Sequence, residues 1–220
     1  MNVVEAMYKR QSIRAFKPDP VSKELLLKVM EAAIQAPSWA NTQPWEFAIV
    51  GGTAMAALKE AIHNRAVEEV PGHPDIPNPS FPDPLQSRRR TNGIQLFAHL
   101  GIGREDRDRQ REWTLKGLRF FDAPNGIIIY IEKCLNAWSI FDAGLVAQNI
   151  MLAAVEYGLG TCPQAAVVRQ PDELRRVLGI PESKFIVVGI AIGYPDWDDV
   201  PNKFRSAREA LENITNWCGF

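Results

Sequence analysis

The chain has 220 residues, 46% of them hydrophobic, which suffices to bury a full core and is most simply one domain. Its 25 basic and 26 acidic side chains leave a net charge of −1, without the basic excess of a nucleic-acid binder. Cys134, Cys162 and Cys218 lie far apart with no CxxC pair, so neither a disulfide framework nor a zinc site is expected, and the compartment reads as a reducing cytoplasm.

The opening residues carry charge too early, and too short an apolar run, for a secretory leader. Val3 to Lys9 is expected to form a short helix that enters the segment RQSIRAF, Arg10 to Phe16. Arg10, Ser12 and Arg14 place two fixed cations and a hydroxyl within five residues, and Arg is the planar fork suited to phosphate and anionic ring edges. Ser22 can cap a second helix whose apolar face is Leu25, Leu26, Val29, Met30 and Ala33, with Pro37 stopping it. The loop that follows, PSWANTQPW from Pro37 to Trp45, offers Ser38, Asn41 and Gln43 as neutral hydrogen-bonding groups between stiffening prolines. One cluster suits a phosphate and the other a polar heterocycle, and together they point to a nucleotide-like cofactor.

Phe47 to Val50 is expected as a short strand, and Thr53 as the cap of a helix reaching about Glu69. Six prolines between Pro71 and Pro84 forbid regular structure there and predict an extended excursion over the surface. It leads into Gln86 to Arg119, which holds nine basic against four acidic residues. This lid-like insertion, about 71–120, is expected to pack through Ile94, Leu96, Phe97, Trp113 and Leu118 while its positive field attracts an anionic ligand.

Gly126 to Ile131 is a continuous apolar run, as a buried strand requires. Ser139 and Asp142 read as an S-x-x-D start signal for a helix to Tyr157 that is apolar almost all round. It is too short in its apolar run to span a bilayer, so it is expected to be the central buried helix. Gly158 and Gly160 end it, and GLGTCPQAA, Gly158 to Ala166, reads as a cap and turn. Phe185 to Ile192 is another strand, and Phe204 to Trp217 a last amphipathic stretch. His63, His73 and His99 have no matched ligand spacing, and no GxGxxG, P-loop or GxSxG is present, so no metal, Rossmann site or hydrolase triad is expected.

RQSIRAF and PSWANTQPW, in this order with a helix between, resemble the nitroreductase family of flavin oxidoreductases, whose members carry R-x-S-x-R/K-x-F and P-S-x-x-N-x-Q-P-W. The resemblance implies an α+β fold, a mostly antiparallel sheet wrapped by helices around a long central one, in an intertwined homodimer. It implies bound FMN, with NAD(P)H as donor and nitroaromatics or quinones as acceptors in a ping-pong reaction. On that analogy Arg10, Ser12, Arg14, Gln164 and Arg208 come from one subunit, and Ser38, Trp39 and Asn41 from the other. Gln11, Pro37, Gln43, Cys162 and Pro163 complete the set around the cofactor, with the Gln164 and Ala165 backbone at the flavin N5. A late basic segment closes on the phosphate, and here Arg208, Arg205 and Lys203 are all candidates, because the family's proline position is Ala210. Trp113 is expected to influence acceptor choice. A specialised reduction such as dehalogenation, and FMN storage without turnover, are the alternatives.

Overall fold

The computed structural model describes residues 1–220. Four strands form one antiparallel sheet in the order β1 (Glu46–Val50), β2 (Asn125–Glu132), β4 (Lys184–Gly193), β3 (Gly160–Gln164). The side chains of β2 alternate between two cores, because successive residues of a strand point to opposite faces. Ile127, Ile129 and Ile131 enter one core with α2 (Lys23–Ala33) and α6 (Ala137–Glu156), the long central helix. Ile128 enters the other, with residues of α3 (Gly52–Val67) and α7 (Pro171–Leu178). A strand covered on both faces has to be apolar throughout, and this one is. Helices α1 (Val3–Lys9), α4 (Asp83–His99) and α5 (Arg107–Leu118) complete the architecture.

Local signals place several boundaries. Ser22 Oγ accepts from the Leu25 N–H at 3.2 Å, and Leu26, Val29, Met30 and Ala33 are the buried face of α2. Others differ from expectation. The residue capping α3 is Gly51, and Thr53 lies inside the first turn. Asn136, not Ser139, caps α6, its side chain accepting from the Trp138 N–H at 3.0 Å. Asp142 is buried within α6 and serves a different purpose, described below. One side of that helix is buried and the other is open, with Trp138 63% and Phe141 58% exposed. GLGTCPQ is not a turn: Gly160–Gln164 pairs with β4 from Gly193 to Gly189. A proline is tolerated there because β3 is an edge strand with one free side. Helix α7 was not foreseen, although Pro171 at its first position and Gly179 just past its end (φ +66°) are standard start and stop signals. The tail from Phe204 has one 3-10 turn, Leu211–Asn213, and no amphipathic helix.

The proline-rich excursion is irregular, as expected, but its first part is fastened down. The Gln170 side chain donates to the Val70 carbonyl at 3.0 Å, and the His73 N–H donates to the Arg169 carbonyl at 2.9 Å. Asp75 Oδ2 accepts from buried Arg175 at 2.6 Å and from the Ile186 N–H at 2.8 Å. Asp172 and Glu182 stand further from the same guanidinium, at 3.5 and 3.6 Å. Removing the charge of one partner in a buried pair is strongly destabilising, and the two outlying carboxylates moderate the loss here. Asp75→Asn is therefore expected to lower the unfolding free energy by about 2–3 kcal/mol, read as a shift of the urea midpoint at unchanged slope.

Candidate cofactor site

The spacing of Arg10, Ser12 and Arg14 has a geometric reason. After α1 the backbone is extended from Arg10 (φ −57°, ψ 126°), so alternate residues share a side. Ile13 and Ala15 point inward, at 2% and 4% exposure, while Arg10, Ser12 and Arg14 remain half-buried. The segment runs along the free edge of β3, where Ser12 and Thr161 form a parallel bridge and the Ile13 N–H donates to the Thr161 carbonyl at 2.9 Å. Only glycine fits at residue 160, since a Cβ there would stand 2.5 Å from Ile13 Cγ1 and 2.7 Å from Pro195 Cγ.

Asn202 holds this segment in place and escaped the sequence reading. It is 3% exposed; its Oδ1 accepts from the Arg14 N–H at 2.7 Å, and its amide donates to the Ala15 and Asp196 carbonyls, both at 2.7 Å. Its own carbonyl accepts from Gln11 Nε2 at 2.6 Å. The three late basic candidates separate clearly. Arg205 closes the end of α1, donating to the Tyr8 and Lys9 carbonyls and to Gln11 Oε1 at 2.7–2.8 Å. Arg208 is exposed and bonds only its own neighbours, Ser206 and Ala207. Lys203 is exposed and does not line the cavity that the other two share.

That cavity, about 460 Å³, is lined by Arg10, Gln11, Ser12, Arg205 and Arg208 together with Tyr8 and two other residues of α1 and by Ser206. It has no acidic side chain. The arginine ion pairs of the protein involve Arg65, Arg88, Arg109, Arg111, Arg119, Arg175 and Arg176, and none of Arg10, Arg14, Arg205 or Arg208. Burial, and then the charges of Arg208 and Arg205, lower the Arg10 guanidinium from its ordinary value. Cations crowded together without counter-charge favour an anion.

Beside this cluster two buried polar atoms of β3, Thr161 Oγ1 and Gln164 Oε1, have no hydrogen-bond partner. The Gln164 amide donates to the Gly117 carbonyl of α5 at 2.7 Å, which ties the end of β3 to the insertion. Pro163 and Ala165 are exposed. Buried groups left unpaired in this way mark a place where an added ligand gains hydrogen bonds.

The second motif lies elsewhere. None of Pro37, Ser38, Trp39, Asn41 or Gln43 lines the cavity. Ser38 Oγ accepts from the Gln43 N–H at 2.9 Å, and the buried Asp142 carboxylate accepts from the Trp39 N–H at 3.2–3.3 Å. Ala40, Asn41 and Gln43 have φ of +49°, +56° and +47°, which costs about 1 kcal/mol or more for each residue other than asparagine. Trp39 is 70% exposed at the tip. A strained loop, clamped from behind and presenting an indole to solvent, is shaped for something outside its own chain. Trp113 is partly buried and packs on Phe121, ring centres 5.4 Å apart, so this chain uses it in the α3-side core.

The sequence profile of the nitroreductase family matches residues 7–194. The chain belongs to the nitroreductase family. It is 36% identical over 213 residues to nitroreductase NfnB of Mycolicibacterium smegmatis, covering 94% of this chain and 89% of that one. It is 33% identical to a 4-nitrobenzoate reductase of Pseudomonas putida, over 96% and 93% of the two chains. Among solved structures, the FMN- and NADPH-dependent NfnB of a Sphingopyxis strain superposes with a TM-score of 0.97 at 32% identity, with full coverage of both chains. The FMN-dependent NfnB of Mycobacterium smegmatis in complex with NADPH gives 0.92 at 34% identity, covering 99% and 100%.

Within this nitroreductase-family site Cys162 stands between Thr161 and Pro163 at 4% exposure. Burial pushes its thiol up, and Arg14, Ser12 and Arg10 only partly oppose that. A thiol held neutral and covered is a poor nucleophile. Titration of the folded protein with a chromogenic disulfide at pH 8 should therefore label exposed Cys134 and Cys218 quickly, and Cys162 only on unfolding. Fast labelling of all three would show that β3 opens.

Proposed function

We propose that the protein is an FMN-dependent oxidoreductase that takes electrons from NAD(P)H and passes them to nitroaromatic or quinone-type acceptors. The observation that carries this reading is the cavity of unpaired arginines beside the two unsatisfied polar atoms of β3. The residues present fit the group: an excess of cations for one phosphate, and orphaned hydrogen-bonding atoms a short way along the strand for a polar ring. Bound there, FMN supplies the hydride and electron transfer, chemistry no side chain of this protein has.

The residues divide the work as follows. Arg10, Ser12 and Arg208 bind the phosphate, Arg10 from the half-buried wall and Arg208 from the exposed rim. Arg205 and Gln11 are positioning residues that keep the α1 end in place. Thr161 and Gln164 orient the ring, with the Gln164–Ala165 backbone toward its reactive edge. Arg14 holds a fixed positive charge where the ring gains negative charge. Cys162 excludes water from beneath. No histidine or carboxylate lines the cavity, so no side-chain acid or base is assigned.

Ser38, Trp39, Asn41 and Gln43, with Pro37, serve the cavity of a second copy. The uncovered Trp138 and Phe141 of α6, next to Asp142 that clamps the loop, are the apolar area such a homodimer would bury. We take residues 1–220 as one domain, since both cores share one sheet, with α4 and α5 as a cover contributed by the 71–120 insertion. The cytoplasm, where unpaired cysteines persist, suits three free thiols.

Protein purified as the folded oligomer should be yellow, and heat should release FMN rather than FAD. Anaerobic NADPH or NADH should bleach it, and a nitroaromatic or a quinone should restore the colour. No flavin, or FAD, would overturn the cofactor assignment, and an FMN that neither nucleotide bleaches would make this a storage protein. Arg10→Ala should weaken FMN retention roughly tenfold or more, the loss of a charge-assisted hydrogen bond of about 1.5–3 kcal/mol. Sedimentation should find flavin only on the dimer.

Arg14 gives a separate test. A cation near the ring favours its negatively charged two-electron-reduced form. Arg14→Ala, folded and loaded, should lower the midpoint potential by some tens of millivolts, at about 30 mV per 1.4 kcal/mol. An unchanged potential would leave Arg14 a phosphate or surface residue.

A further inference from the structure

A second cavity, about 510 Å³, opens between the end of α3, the start of the proline-rich excursion, α5 and residues 166–170. It shares no residue with the cofactor cavity. Its volume lies in the range of small-molecule sites. The apolar side of its lining comes from Ile62, only 1% exposed, with Leu115, Leu118, Val70 and Pro71. The cationic side is Arg107, Arg111 and Arg169. Glu69 is the sole acidic group in the lining, and it is engaged by Arg111 at 3.1 Å. Arg107 and Arg169 have no ion pair at all.

The walls are preformed. The excursion passes over Arg169 so closely that a Cβ on Gly72 would stand 2.9 Å from the Arg169 carbonyl oxygen and 3.1 Å from its Nε. The bonds from His73 and Gln170 described above hold it there. The Gln110 side chain is committed to the Gly103 and Arg104 carbonyls, at 2.7 and 3.0 Å, which braces the start of α5. A fixed cavity with an apolar floor and uncompensated guanidiniums is complementary to a molecule with an apolar ring and one anionic group.

We infer that this cavity is a binding site for a small aromatic carboxylate, separate from the flavin and independent of the function proposed above. The ring lies on Ile62, Leu115 and Leu118, and the carboxylate meets Arg169 and Arg107. Occupancy stabilises the folded state by mass action, tying α5 to α3.

The probe is 2-naphthoate, with 2-naphthamide as its uncharged counterpart, titrated calorimetrically into the purified, cofactor-loaded protein while the visible spectrum is followed. An aromatic acid can also enter the open flavin site, and binding there perturbs the flavin absorbance. Binding in the second cavity should be spectrally silent. The silent binding should weaken roughly tenfold or more in the Arg107→Ala/Arg169→Ala double variant, and to a similar degree for the amide. Both arginines are exposed, so this variant is expected to fold. Thr114→Trp fills the cavity from α5 without changing charge and should abolish silent binding on its own. The inference is overturned if all binding changes the flavin spectrum, if none occurs at millimolar naphthoate, if the amide binds as tightly as the acid, or if silent binding survives either variant.

Discussion

The site depends on one edge contact. A short strand, β3, lies at the end of the sheet, and its outer side is taken by the extended segment after α1 through Ser12, Ile13 and Thr161. An uncovered edge invites pairing with other chains, so this contact protects the sheet as well as building the cavity. Everything near it reinforces the same placement. Gly160 allows the close approach, Asn202 satisfies the backbone of residues 14 and 15, and Arg205 closes the helix that delivers the segment. With the edge contact made, three side chains at alternate positions point the same way, and two of them are arginines.

The arrangement is electrostatically unfavourable in isolation. Arg10, Arg205 and Arg208 share a cavity with no carboxylate, and the neighbouring cations disfavour the Arg10 charge. Elsewhere the same protein pairs its buried arginine carefully, as at Arg175 and Asp75. The contrast within one chain is informative. Where stability is the only requirement, a guanidinium receives a carboxylate; where an anion has to be bound, the carboxylate is left out and neutral groups such as Gln11 and Asn202 supply the order instead. The strained loop from Ala40 to Gln43 follows the same logic, held by Asp142 and Ser38 in a conformation its residues would not adopt alone.

The two faces of the sheet are put to different uses. On the α2–α6 face, apolar side chains remain uncovered at Trp138 and Phe141, close to the clamped loop. On the other face, α3, α5 and α7 close over Phe120, Phe121 and Ile128, and the fastened excursion leaves an amphiphilic cavity at their margin. The amide of Gln164 on the Gly117 carbonyl joins that side to the cofactor strand.

Features set by neighbouring residues were legible in the sequence. The alternation of Arg10, Ser12 and Arg14, the Ser22 cap and the unbroken apolar runs of β2 and β4 all follow from backbone periods that operate over a few residues. The family resemblance rested on the same local motifs. What local patterns left open was decided by partners distant in the chain. Gly and Pro in GLGTCPQ serve a turn and an edge strand equally well, and only the presence of β4 selects the strand. Asn202 and Asp142 look like ordinary polar residues until residues 188 and 103 positions away bring backbone N–H groups to them. The three late basic residues could be told apart only when Arg205 met the carbonyls that end α1. The apolar pattern of Phe204 to Trp217 makes no helix because no surface of the chain covers Leu211, Ile214 or Trp217, all exposed. Trp113 reads as a lid aromatic in isolation and becomes a core residue because Phe121 folds back beneath it. Sequence determines which groups are available and their local rhythm; tertiary structure decides which of them meet, because each meeting depends on loop closure and burial that no short window contains.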